Sequence, residues 1–182
     1  ADDPLVFMTN DKFIKENNLK APASWNDLLA APYKNMLQMA DARTSGTAVT
    51  RIFSILEVNG RDETKAFDYM KKLRPNVQLY TKSGGGGTLP VGLGQAGGGI
   101  FFIVDALDTK AKGYDVTISF PKEGIGTAAE GIALHAGEEQ KYRRRTPRSL
   151  ELLERTKPLI PTGHGGGMWY QLPYPVMLDH AK

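Results

Sequence analysis

The residues best able to do chemistry in this chain are hydroxyls placed just ahead of a helix. Asp41-Ala42-Arg43-Thr44-Ser45-Gly46-Thr47-Ala48 lies between a strand-like run, Met36 to Ala40, and a helical run, Val49 to Val58. Thr44 or Ser45 is placed to act as N-cap, and Gly46 leaves the backbone open to close approach. The first turn then offers N–H groups without intrahelical partners at the positive end of the helix dipole, an arrangement that binds anions. Capping alone would equally account for a single Ser or Thr there. More polar residues stand at the other strand-to-helix junctions: Thr81, Lys82, Ser83 and Thr88, then Asp105, then Glu123. In an open α/β sheet the carboxyl ends of the strands share one edge, and ligands bind in the crevice along it. Hydroxyls and helix N-termini there hold an anion, while Asp105 and Glu123 accept hydrogen bonds from hydroxyls or an amine on the same ligand. The plainer readings are a helix cap for Asp105 and an exposed turn residue for Glu123.

This set lacks the parts of a catalyst. It holds no activated nucleophile, no paired acid and base and no metal cluster, so binding is expected rather than turnover, with no cofactor. Gly92-Leu93-Gly94-Gln95-Ala96-Gly97 spells a dinucleotide fingerprint, but a strand follows it where a helix is required. His164-Gly165-Gly166-Gly167 matches an oxyanion-hole motif without the nucleophile elbow that goes with it. The three histidines, His135, His164 and His180, have no helical ligand spacing. Arg143-Arg144-Arg145 reads as a solvated face, and a net charge of +3 is too small for a nucleic-acid footprint. The chain has no cysteine, which excludes a disulfide framework, and no apolar run long enough to span a membrane. Its first residues, Ala1-Asp2-Asp3-Pro4, carry no export-signal pattern.

The elements that must position these residues alternate. A strand at Leu5 to Met8 leads to a helix from Asp11 to Asn17 capped by Asn10 or Asp11, and Ser24 caps a short helix, Trp25 to Leu29, with Asp27 completing a capping box. After the strand Met36 to Ala40, a helix aligns Ala48, Ile52, Ile55 and Leu56 and stops at Asn59-Gly60. Asp62 caps the next, in which Ala66, Phe67, Met70 and Leu73 recur at helical spacing. Val77 to Tyr80 reads as an alternating strand, Leu89 to Ala96 as a short helix, and Gly98 to Val104 as a strand buried on both faces. A helix from Asp105 to Lys112, a strand from Val116 to Phe120, a turn at Pro121 to Gly124 and a strand from Gly131 to Leu134 follow. A helix at Leu150 to Arg155 is the last. Strands alternating with helices predict an α/β fold with a mostly parallel sheet flanked by helices.

Several of these stretches together resemble a known family. Ala23 to Leu29, Ala40-Asp41 through Ser45-Gly46-Thr47-Ala48, Tyr80-Thr81-Lys82-Ser83-Gly84, Phe102 to Leu107 and Phe120-Pro121-Lys122-Glu123-Gly124 resemble the extracellular solute-binding proteins of bacterial ABC importers. The resemblance is strongest to the branch of ferric-iron, phosphonate and sugar-phosphate receptors. It implies a periplasmic-binding-protein-like (type II) fold of two α/β lobes closing on a ligand, of which residues 1–182 represent a single α/β ligand-binding lobe, the second, with the first lobe missing. It also implies that Ser45, Gly46 and Thr47 contact an anionic ligand group and that Asp105 and Glu123 face the cleft. With Thr44, Lys82 and Ser83 these make up the expected ligand-binding set. The expected partners are a small anion-bearing solute, a phosphonate or organophosphate above others, and a membrane permease; the expected place is the periplasm or cell surface. Val104 stands where phosphosugar-binding relatives often have His, and no Tyr-Tyr pair of the iron-binding kind occurs. Residues 134–169 depart from the family pattern, which returns at Tyr170-Gln171-Leu172-Pro173, as a segment replaced or read in a shifted frame would. The rival readings are a small α/β phosphate-handling enzyme and a lobe that binds no ligand.

Overall fold

The computed structural model describes residues 2–129. The expected strand Gly131 to Leu134, the helix Leu150 to Arg155, the arginine run and the three histidines lie outside the described residues. The strands are β1 (Asp2–Asn10), β2 (Leu37–Ala40), β3 (Val77–Thr81), β4 (Gly98–Phe102), β5 (Val116–Ser119) and β6 (Thr127–Ala129). The α-helices are α1 (Asp11–Glu16), α2 (Gly46–Val58), α3 (Glu63–Leu73), α4 (Thr88–Gly92) and α5 (Ile103–Ala111). One sheet in the order β3-β2-β4-β1-β5, with β6 also paired to β1, runs through the unit Asp2–Ala128.

The α/β class and the predominance of one strand direction agree with expectation. β2 pairs in parallel with both β3 and β4, whereas β1 is antiparallel to β4 and to β5. Thus β2, β3, β4 and β5 share one direction and β1 alone among these five opposes it. β1 is buried from Leu5 to Asn10, and its side chains divide by the period of two that a pleated strand imposes. Leu5 and Phe7 join a core with Trp25, Leu28, Tyr33, Ile55, Tyr69 and Leu73 on the α2 and α3 face. Val6 and Met8 join a second core with Val91, Phe101, Ala106 and Val116 on the α4 and α5 face. Each fully buried Leu, Ile or Phe contributes about 1.5–3 kcal/mol through removal from water.

Local capping follows the sequence closely. Asn10 Oδ1 accepts from Phe13 N at 3.0 Å, and Asp62 Oδ1 from Lys65 N at 3.1 Å. Ser24 Oγ accepts from Asn26 N at 3.2 Å, while Asp27 Oδ2 reaches back to Ala23 N at 2.8 Å, closing the expected capping box one residue early. Four expectations are corrected. Phe67 is 55% exposed, and Tyr69 is buried instead, because Tyr69 donates to Trp25 O at 2.6 Å and meets its ring edge-on. The strand expected to reach Val104 ends at Phe102, where its pairing with Leu5 ends, and α5 begins at Ile103. The helix expected to continue to Ala96 stops at Gly92, and the chain leaves it through Gly94 at φ +73°. β3 does not alternate: Gln78, Leu79 and Tyr80 are all exposed, as befits the strand at the end of the sheet.

Candidate functional site

Parallel pairing brings three strand ends level. Ala40 stands opposite Thr81, and Gln38 opposite Gly99, so β2, β3 and β4 deliver their following loops to the same edge. From β2 the chain enters Asp41 to Ser45 and then α2. From β3 it passes Lys82 and Ser83 into a 3-10 turn, Gly84–Gly87, and α4. From β4 it turns directly into α5.

The loops are fastened to each other. Asp41 N donates to Thr81 O at 2.9 Å, and Thr44 Oγ1 donates to Lys82 O at 2.8 Å. Thr81 Oγ1 is shared between Met39 O at 3.2 Å and Ser83 O at 2.9 Å. The glycine turn then lies against two side chains with no room for a side chain of its own. A Cβ on Gly84 would collide with Thr47 Oγ1, and a Cβ on Gly85 would lie 2.8 Å from Asp105 Oδ1. Thr47 and Asp105, at the starts of α2 and α5, therefore both press against one stretch of bare backbone, at the adjacent residues Gly84 and Gly85.

Ser45 is the N-cap of α2, as one of the two expected candidates, but its side chain makes no cap hydrogen bond. Its hydroxyl is not spent on the helix. Thr44, the other candidate, is used to bind the β3 loop. Gly46 is exposed with nothing within 4 Å of where a Cβ would be, and Thr47 is buried. Lys82 and Ser83 are exposed beside the glycine turn. Asp105 lies in the first turn of α5 and accepts through its carbonyl from Thr109 Oγ1 at 2.9 Å.

Glu123 belongs to a different group of contacts. Its carboxylate accepts a hydrogen bond from Ser24 Oγ, and the turn is tied down by Lys122 N to Ala23 O at 2.8 Å and Trp25 Nε1 to Gly124 O at 3.0 Å. Burial pushes the Glu123 carboxyl up, but the bonds from Ser24 and backbone N–H groups, helped by Lys122, outweigh it and leave the group below the usual carboxylate value. The expected binding set is thus held by two groups of contacts: Thr44, Ser45, Gly46, Thr47, Lys82, Ser83 and Asp105 gather where β2, β3 and β4 end, and Glu123, in the turn after β5, which runs the same way, clasps the Ser24-Trp25 segment.

Two residues with no place in the expected set support this edge. Asp3 Oδ1 accepts from Val104 N at 3.3 Å, so the first turn of α5 is capped from β1. Arg51 is only 7% exposed and donates through Nη1 to Ala40 O at 3.1 Å. Burial lowers its guanidinium pKa, with Tyr80 and Asp41 opposing that shift. Asp41 itself is engaged by Arg43, whose Nη2 lies 2.6 Å from Oδ2 and whose backbone N–H lies 2.9 Å from Oδ1. Among the described residues there is no group of three or more His, Asp or Glu that could hold a metal ion, and no helix long and apolar enough to cross a membrane.

A mixed sheet flanked by helices, with its loops gathered at the carboxyl edge, is the architecture of a type II periplasmic-binding-protein lobe. Residues 3–143 match the bacterial extracellular solute-binding proteins, and the chain belongs to that family. The match continues past Leu134, into the first part of the stretch 134–169 that is expected to depart from the family pattern. A protein of Haemophilus influenzae (strain Rd) is 33% identical over 134 residues, covering 73% of this chain and 38% of that protein. The structure of the periplasmic binding protein AfuA from Actinobacillus pleuropneumoniae, with exogenous fructose-6-phosphate bound, matches with 37% identity and a TM-score of 0.65 over 69% of this chain and 39% of that one. The sulfate-binding protein SubI from Mycobacterium tuberculosis shares the fold, with a TM-score of 0.60 and 19% identity over 85% of this chain and 55% of that one. This chain spans about two fifths of the length of the first two relatives. Membership of a binding-protein family agrees with the preference for binding over catalysis.

Proposed function

We propose that this chain supplies one wall of a solute-binding cleft and holds a small solute that carries both an anionic group and a hydroxyl or amine. The anion docks on the first turn of α2, taking hydrogen bonds from the backbone of Gly46 and Thr47 and from the Ser45 and Thr47 hydroxyls. Asp105, beside the glycine turn at Gly85, accepts from the other end. The observation that carries this reading is the approach of Thr47 and Asp105 to the adjacent residues Gly84 and Gly85 of one turn. A helix N-terminus with an uncommitted hydroxyl favours an anion, and a carboxylate repels one, so a ligand that satisfies both has unlike ends.

A phosphonate or organophosphate fits that description, and AfuA, a relative over this same region, is known with fructose-6-phosphate bound. Val104, beside Asp105 and 56% exposed, offers the ligand an apolar contact and no side-chain hydrogen bond, which favours a ligand less densely hydroxylated than a sugar phosphate. In the whole protein the solute would be delivered in the periplasm or at the cell surface to an ABC permease, with no chemical change.

Calorimetric titration of the 182-residue chain with inorganic phosphate, 2-aminoethylphosphonate and fructose-6-phosphate tests the reading. Binding of at least one, weakened about tenfold or more in Ser45→Ala/Thr47→Ala at about 1 kcal/mol per lost hydrogen bond, is the expected result. Unchanged affinity in the double variant places the anion elsewhere, and sustained release of phosphate from a phosphorylated probe identifies an enzyme instead.

A further inference from the structure

Arg51 is the most buried cation among the described residues, and none of them neutralises it directly. Its residue is 7% exposed, yet among the described residues no carboxylate lies within ion-pair distance of its guanidinium. Among the described residues its guanidinium makes one hydrogen bond, from Nη1 to Ala40 O, which leaves most of its five N–H donors without an acceptor there. The nearest acid by sequence and charge, Asp41, is gripped by Arg43 through two nitrogens of the guanidinium and the backbone N–H. A buried charge without a partner is costly, and a fold that keeps one gains where an opposite charge arrives later.

The position of Arg51 indicates where that charge arrives. Thr47 and Arg51 are four residues apart on α2, hence on one face of the helix, and side chains of a helix lean toward its N-terminus. The bond to Ala40 O confirms the direction, since Ala40 is the last residue of β2, immediately before the loop that leads to Ser45. The guanidinium therefore lies behind the first turn of α2, where the helix dipole already favours negative charge. Its burial limits screening by salt, so its field is felt more strongly than that of an exposed arginine such as Arg43.

We propose that Arg51 is the standing counter-charge of the anion site: a positioning residue that holds the end of β2 and puts a permanent positive charge behind the first turn of α2. This rests on the reading that the ligand's anionic group docks at Ser45-Gly46-Thr47. Side chains at 51 that keep the charge preserve anion affinity; those that keep only the hydrogen bond to Ala40 do not.

Three variants of the 182-residue chain decide this, titrated with inorganic phosphate by calorimetry and unfolded in urea without phosphate. Arg51→Gln keeps a donor for Ala40 O and removes the charge, Arg51→Lys keeps the charge, and Ser45→Ala/Thr47→Ala removes the hydroxyls. The expected result is at least tenfold weaker phosphate binding in Arg51→Gln, less than threefold in Arg51→Lys, and no loss of urea midpoint in Arg51→Gln. A purely structural Arg51 gives the reverse, a lower midpoint with unaltered phosphate affinity, and overturns the proposal. Equal weakening in Arg51→Gln and Arg51→Lys also overturns it, because charge is then not what matters. Binding weakened by the hydroxyl variant but not by Arg51→Gln removes the role of Arg51 and leaves the site in place; binding indifferent to all three removes both.

Discussion

Asp3 accepts a hydrogen bond from the backbone N–H of Val104, 3.3 Å away in space and 101 residues further along the chain. An N–H group in the first turn of α5 is thereby capped from the strand β1. A buried acid at a helix N-terminus also meets the positive end of the dipole. Asp3→Ala is expected to cost about 1–2 kcal/mol of stability, the usual range for a lost N-cap. Urea unfolding read by tryptophan fluorescence would show it as a lower midpoint; an unchanged midpoint would mean that α5 is held by packing alone.

The two glycines nearest the proposed anion differ in a way that mutation can read. Gly46 has open space where a side chain would go, so Gly46→Ala in the first turn of α2 should raise stability by about 0.4–1 kcal/mol while crowding an approaching ligand. Gly84 faces Thr47 Oγ1 with no clearance, so Gly84→Ala should lower stability by about 1–3 kcal/mol, as overpacking does. Thermal unfolding of the two variants side by side checks the opposite signs. Equal shifts would mean that the Thr47 to Gly84 approach relaxes freely.

Acid stability should respond to Asp41. Hydrogen bonds from the Arg43 side chain and backbone lower its carboxyl from 3.8 to about 2. The unfolded chain therefore takes up this proton first as pH falls. The group's contribution to stability is complete above about pH 4 and disappears as pH drops through about 2. Glu123, also lowered, contributes with the same sign. Urea midpoints measured between pH 5 and 2 should fall less steeply in Asp41→Asn than in the unaltered chain. Parallel profiles would show that the fork between Arg43, which is highly exposed, and Asp41 is dissolved by solvent.

What the sequence made legible was local. Asn10, Ser24 and Asp62 cap as their spacing predicts, because a cap bonds within three residues of itself. The order of strands and helices followed from periodicity, and the grouping of Thr44 to Thr47 with Lys82, Ser83 and Asp105 followed from the rule that parallel strands end on one edge. What escaped needed the third dimension. The buried face of α2 includes Thr50, Arg51 and Ser54, where apolar periodicity pointed to Ile52 and Leu56, because the helix crosses polar loop backbone: Ser54 Oγ accepts from Gly126 N at 2.8 Å and Arg51 serves Ala40. Phe67 and Tyr69 exchange roles for a similar reason, since only Tyr69 has a hydroxyl to reach Trp25 O. Nothing in the residues around Glu123 announces Ser24, nearly a hundred positions earlier, as its partner.

The glycine turn that Thr47 and Asp105 both touch works as a spacer without a side chain of its own. Its backbone is what the two side chains meet, Thr47 at Gly84 and Asp105 at Gly85, so how closely the starts of α2 and α5 approach this turn depends on two residues that contribute no side-chain atom. A single added carbon at either position meets Thr47 Oγ1 or Asp105 Oδ1.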